Sequence, residues 1–309
     1  MELSLLLGKQ TLSMFLILAV GYTMVKCGWF QAKDSEFLSR LAVYVVVPCS
    51  LFHAFQVEFS PDKLSGFLLS LGAAVLIQGL FILVTGFLKK PMKFTPVESA
   101  SLIYPNALNM VLPLVTATLG EGYIFYTVPF CVVQVVLLWT HGRMLLSGEK
   151  HVAWRSILLN TNILSVALGL FCFLTGIRLP EILDTAVTNL GNMIGPLGML
   201  IAGMLMTSVD LKRVFGNGRA YKICFFRLIL LPLITVFVLR FGGFSSLHPE
   251  AETIFLVTTL AAASCSATSV IQFSQIFGED GGYASVLNGM SILFCILTIP
   301  LMIFIYQIL

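Results

Sequence analysis

The chain has 309 residues, of which 58% are hydrophobic and only 11% are charged, against roughly 25% charged in a soluble domain. No soluble fold can hide that much apolar surface, so lipid is the expected solvent for most of the chain. The formal net charge of +3 is spread over several connections without aromatic interleaving, which excludes a nucleic-acid footprint.

At about 20 residues per membrane span, hydropathy predicts ten spans in chain order: 5–26, 36–56, 65–88, 97–119, 122–146, 156–176, 183–207, 220–241, 252–277 and 282–308. The fold class expected is all-α integral membrane. The first apolar run is followed by its positive charges (Lys26, Lys33) instead of being preceded by them, so it reads as a span and not as a cleaved signal peptide. The seven cysteines fall mostly inside apolar runs without CxxC spacing. They read as small buried hydrophobes, with no disulfide framework and no metal site.

Basic residues orient the chain. Lys26, Lys33, Arg40, Lys89, Lys90, Lys93, Arg143, Lys150, Arg155, Lys212, Arg213, Arg219 and Lys222 fall at one set of span ends. Only Lys9, Lys63, Arg178 and Arg240 fall at the other. The first set is expected in the cytoplasm, with both termini on the non-cytoplasmic face of the plasma (inner) membrane.

The halves repeat. "TLGEGY" (118–123) closes span 4 and "IFGEDGGY" (276–283) closes span 9. "VVVPCSLF" (45–52) parallels "MIGPLGML" (193–200), which sets Pro48 against Pro196 as matching helix breaks. The repeat unit is then five spans, 1–150 and 151–309. An odd number of spans inverts the second copy in the membrane, an arrangement found in many secondary transporters.

Such carriers bind substrate near the bilayer midplane, where spans are broken. Span 4 carries "YPNALNMVLP" (104–113). Pro105 and Pro113 each remove a backbone donor and disfavour helix at Tyr104 and Leu112. Asn106 and Asn109 lie three apart, near one face of any helix between the prolines. Asn106 is about 15 Å in from Pro96, which is midplane depth.

Span 9 has the matching stretch "AAASCSATSVIQ" (261–272), with Ser264, Ser266, Thr268, Ser269 and Gln272. Small residues let backbones cross closely, and hydroxyls cap freed backbone groups. The bland alternatives are hydroxyls bonded to their own helix and a Gln272 that ties spans 9 and 10 together.

No Asp or Glu falls at an obvious midplane position, which argues against a carboxylate-based proton or sodium antiporter site. What remains is a neutral polar site whose helix N-termini favour anions. Arg227, in "FFRLILLP" (225–232), reads as snorkelling to the cytoplasmic interface, with an electrostatic contribution to an anion path as the alternative. His53 reads as interfacial, and His141 as part of a topology anchor with Arg143.

These words together resemble the auxin efflux carrier family. They are "VVPCSLF" in span 2, "NALNMVLPLVTATLGEGY" in span 4, "LGNMIGPLGMLIAGMLM" in span 7 and "SATSVIQFSQIFGEDGGYASVLNGMSILFCILTIPL" in spans 9 and 10. The resemblance implies spans 4 and 9 crossing at their breaks, a scaffold of spans 1, 2, 6 and 7, and a moving domain of spans 3–5 and 8–10. It implies small carboxylates as substrates, auxin or malate-like, with Asn106 at the binding site.

The chain departs from the family at Leu108 and Val111, where glycines are common. It departs again around Cys265, where a proline is usual, and at "NTN" (160–162), where Asn-Pro is common. The short connection between spans 5 and 6 looks like the compact prokaryotic members.

The function expected is secondary transport of a small organic anion by an elevator-type motion. The alternative is a sodium-coupled symporter of the bile-acid carrier type, with Gln272, Ser266 and Asn106 offering oxygen ligands. A membrane sensor or intramembrane enzyme is the remote option, because no nucleophile–base or metal constellation lies at depth. No cofactor is expected, and the coupling ion, H+ or Na+, is left open. Expected partners are a small carboxylate, the lipid bilayer and, as one option, a second copy in a homodimer.

Overall fold

The computed structural model describes residues 2–148, 158–207 and 216–309. Lys150, Arg155, Asp210, Lys212 and Arg213 lie outside the described residues, as does the start of expected span 6. Among the described residues the chain is helical, with a single isolated β-bridge.

The helices are α1 (Glu2–Lys26), α2 (Ala32–His53), α3 (Pro61–Met92), α4 (Pro96–Ile103) and α5 (Leu112–Leu119), the last preceded by a π turn at Ala107–Val111. They continue as α6 (Glu121–Ser147), α7 (Thr161–Thr175), α8 (Glu181–Met206) and α9 (Gly218–Phe241). The last three are α10 (Ala251–Ala263), α11 (Thr268–Ile276) and α12 (Gly281–Ile308). Six of these, α2, α3, α6, α8, α9 and α12, are long and apolar enough to cross a membrane. Expected spans 4 and 9 are each split, into α4 with α5 and α10 with α11, so neither contains one helix of spanning length.

Local chemistry accounts for the ends. α3 starts on Ser60, whose hydroxyl accepts from the Lys63 N–H at 3.1 Å, with Pro61 at the first helical position. α4 starts on a reciprocal capping box, in which Thr95 Oγ1 takes the Glu98 N–H and Glu98 Oε2 takes the Thr95 N–H at 2.8 Å.

Pro48 does not interrupt α2. It follows a π turn at Ala42–Val46, whose looser backbone carries the helix past the missing donor. Pro196 lies in the first turn of the second part of α8, just past a turn at residues 192–193 that interrupts the helix. At that position a missing N–H costs nothing.

Packing separates two groups of helices. α1 and α8 pack along each other, and α2 packs on α7 and α8. α3 packs on α6 and α10, while α12 packs on α9, α10 and α11. The groups meet where α1 touches α5 and α12, and where α8 touches α5 and its π turn.

Side-chain bonds mark the two ends of the molecule. At one end Arg219 of α9 clasps the buried Glu98 of α4, with Nη2 to Oε2 at 2.7 Å, and Tyr283 of α12 donates to Glu98 Oε1 at 2.9 Å. At the other end Gln56 accepts from the Leu179 N–H at 3.0 Å, and His248 Nε2 meets the Asp62 carbonyl at 3.0 Å.

Candidate functional site

The two broken spans cross at their breaks. Tyr104 is extended (φ −101°, ψ 107°), as a residue before proline prefers. Ser264 and Ala267 are also extended, so two short extended segments meet antiparallel with Pro105 opposite Ser266 in a single bridge. The Asn106 N–H donates to the Cys265 carbonyl at 2.8 Å, and the Ala267 N–H to the Tyr104 carbonyl at 2.9 Å. Leu112, expected to leave the helix before Pro113, is helical (φ −52°, ψ −55°). The π turn absorbs Pro113, and the break lies at Pro105 alone.

A backbone broken in an apolar interior must find partners for its polar groups. Those that the backbone pairing leaves over, the carbonyls of Pro105, Ser264 and Ser266 and the Ser266 N–H, are met by polar side chains from other helices. Gln134 of α6 donates its amide to the Pro105 carbonyl. Asn288 of α12 donates to the Ser266 carbonyl at 2.6 Å, and Ser291 accepts the Ser266 N–H at 3.1 Å. The Ser266 hydroxyl donates to the Ser101 carbonyl at 3.0 Å. Arg227 of α9 donates Nη2 to the Ser264 carbonyl at 2.8 Å. The Ser264 hydroxyl bonds its own helix at Ala261 O, at 2.9 Å. Tyr104 anchors the strand from the side, its hydroxyl 3.1 Å from the Leu137 carbonyl and 2.7 Å from His141 Nδ1. His141, in a π turn inside α6 and not at the end of its span, therefore braces the crossing.

One cavity of about 1420 Å³ lies against the crossing. Asn106, Asn109, Thr268, Ser269 and Gln272 line it, as do Cys265 and Asn288. Asn106 is 7% exposed, and its Oδ1 accepts from Asn109 Nδ2 at 3.2 Å. Gln272 is exposed at the cavity, with no bond to α12. Pro105, Pro113, Ser264 and Ser266 do not line the cavity; they build the wall behind it.

The first-turn N–H groups of the π turn and of α11 have no partner inside their helices and start at this wall. Across the cavity α8 comes close to the crossing because two of its residues are glycines. A Cβ on Gly195 would sit 2.7 Å from Pro113 Cβ, and one on Gly198 would sit 3.3 Å from the Asn109 carbonyl.

The cavity opens toward the starts of α2, α9 and α12, where Ser35, Glu36, Asn217 and Asp280 line it. Toward the other end the helix groups are joined by aromatic rings. Phe125 of α6 packs at 5.5 Å on Phe55 beyond the end of α2, at 5.0 Å on Phe173 of α7 and at 5.1 Å on Phe67 of α3.

Arg227 does not snorkel. It is 0% exposed and belongs to a π turn (Phe226–Leu230) inside α9. Its guanidinium is held by the Ser264 carbonyl and lies 5.6 Å from the centre of the Phe81 ring, so it cannot reach the interface. His53 is partly buried between α2 and α8, 3.2 Å from Asp184 Oδ1.

Gln134, Asn288 and Ser291 were not among the sequence candidates. The only signal for Gln134 is an isolated amide in an apolar run, "FCVVQVVLL" (130–138), and for the other two the polar pair in "LNGMS" (287–291).

Broken helices crossing beside a polar cavity, in a chain with six helices of membrane-spanning length and composition, define a multi-pass helical membrane protein with an internal polar cavity. A family model described as "Membrane transport protein" matches residues 7–153 and 143–303. The chain belongs to that membrane transporter family, the auxin efflux carrier family. No curated protein matches the chain.

Proposed function

We propose that this transporter is a secondary carrier of a small organic anion, a mono- or dicarboxylate. The observation that carries this is the crossing itself. Two half-helices begin at one point of the cavity wall, with the Asn106 amide beside them. Helix N-termini present unpaired N–H groups and partial positive charge, which together suit a carboxylate. The Asn106 and Asn109 amides and the Thr268 and Ser269 hydroxyls add neutral donors, so the anion meets no fixed negative charge there.

Alternating access follows as an elevator motion. The group built on α3 to α6 and α9 to α12, which carries the crossing, slides along the group of α1, α2, α7 and α8. The two groups are the two inverted five-span halves regrouped. Gly195 and Gly198 of α8 give the sliding face its smoothness opposite Pro113 and Asn109. The open end of the cavity carries most of the basic residues, so this conformation is the one open to the cytoplasm.

Uptake of radiolabelled mono- and dicarboxylates into proteoliposomes tests this, with wild type beside Asn106→Ala. A transported carboxylate whose uptake falls about tenfold or more in the variant is the expected result, a loss of about 1.4 kcal/mol in binding. Undiminished uptake in Asn106→Ala would take Asn106 out of the site.

A further inference from the structure

Arg227 is the largest fully buried side chain of the described residues, and its charge has no counter-charge. Among the described residues no carboxylate pairs with it. One guanidinium nitrogen donates to the Ser264 carbonyl, while Nε and Nη1 have no hydrogen-bond partner. Its residue is about 14 Å along α9 from Gly218 at 1.5 Å per residue, roughly the middle of a 30 Å hydrocarbon core. An unpaired charge at that depth is costly. Two features offset part of the cost: the negative end of α10, which terminates at Ser264, and the face of the Phe81 ring. Neither is a full negative charge.

The place of this charge gives it a use. Ser264 is followed by Cys265, which lines the cavity and whose carbonyl holds the Asn106 N–H at 2.8 Å. The guanidinium is therefore one peptide unit behind the wall that faces the substrate. Arg227 itself does not line the cavity. It acts through the field it projects and through the carbonyl it fixes.

We propose that Arg227 is the resident counter-charge of the transported anion. It is a positioning residue that sets the preference for negatively charged substrates and makes a co-bound sodium ion unnecessary. This rests on the anion-carrier function above. A carboxylate entering the cavity completes the charge balance that the protein leaves open. In low-dielectric surroundings that interaction reaches across one peptide unit with little screening.

The test uses purified full-length protein in proteoliposomes, as wild type, Arg227→Lys and Arg227→Gln. Binding and uptake of acetate, malonate, succinate and malate are measured in sodium buffer and in choline buffer. Wild type should transport equally well in both. Arg227→Gln should weaken binding of a monocarboxylate about tenfold and of a dicarboxylate by about the square of that factor, because a field acts on each charge. Arg227→Lys should restore most of the affinity.

A structural arginine would instead weaken monoanions and dianions by the same factor. Equal losses, or unchanged affinity in a well-folded Arg227→Gln, overturn the proposal. If Arg227→Gln does not fold, the buffer comparison on wild type decides: uptake that collapses in choline overturns it, and uptake that persists supports it. If wild type carries none of the four acids in either buffer, the carrier function fails first and the counter-charge falls with it.

Discussion

At the scale of single residues, the site is a solution to unpaired peptide groups. The carbonyls of Pro105 and Ser266 would be orphaned in an apolar interior if Gln134 and Asn288 did not reach them. Leaving one buried acceptor unsatisfied costs about 1–3 kcal/mol. Asn288→Leu keeps the size of the side chain and removes the donor to Ser266. We expect a lower melting temperature in detergent and reduced uptake, because Ser266 is opposite Pro105 in the crossing. Asn288→Ser, which can reach a bridging water, should lose less. A variant that melts with wild type would remove Asn288 from the support of the crossing.

The place of Asn106 at the break was legible in the sequence because a proline beside it singled it out from its apolar run. Gln134 and Asn288 were not. A lone amide in an apolar stretch has the same local pattern whether it caps a neighbour, binds a ligand or bonds its own helix. Its partner here is 29 residues away for Gln134 and 22 for Asn288. Arg227 was misread for a related reason: hydropathy gives its depth in the chain but not the carbonyl that holds it.

At the scale of elements, prolines did different things in different places. Pro105 breaks its span where extended backbone pairs with the other broken span in a single bridge. Pro48 and Pro113 sit just after π turns and leave their helices continuous. Sequence marks the missing donor equally in all three, and only the neighbouring helices decide whether the backbone opens.

The glycines of α8 have a clearer consequence. Gly195→Ala places a methyl group 2.7 Å from Pro113 Cβ, inside any tolerable contact, so α8 and α5 must separate. Overpacking of this kind costs about 1–3 kcal/mol. In the proposed motion it also roughens the face along which the groups slide. Uptake should fall several-fold at equal protein, while binding of the same carboxylate measured in detergent stays within about twofold. Loss of binding in step with uptake would place Gly195 in the site and not in the sliding face.

At the scale of the whole molecule, the cavity reaches the starts of α2, α9 and α12 while aromatic rings join the helix groups at the other end, and the proposed function sets the first of these ends in the cytoplasm. Cys27 follows α1 at the open end and is exposed. Gln275 is exposed and lines the cavity. Ser246 is exposed at the other end, in the connection that carries His248. In a chain whose other cysteines are replaced, Cys27, Gln275→Cys and Ser246→Cys each report one position.

A membrane-impermeant maleimide applied to intact cells should label Ser246→Cys and spare the other two. Applied to inside-out vesicles it should label Cys27 and Gln275→Cys and spare Ser246→Cys. The reverse pattern would invert the orientation and make the basic end external, against the bias that predicts it. Phe125→Ala carries the same assay further. Phe125 touches rings from both helix groups, and removing it weakens the closed end without touching the crossing. If the rings hold this conformation, Gln275→Cys should label more slowly from the cytoplasmic side in that background as the opposite-facing state gains population. An unchanged rate would mean that the two groups are held together elsewhere, with the contacts of α1 and α8 on α5 as the remaining candidates.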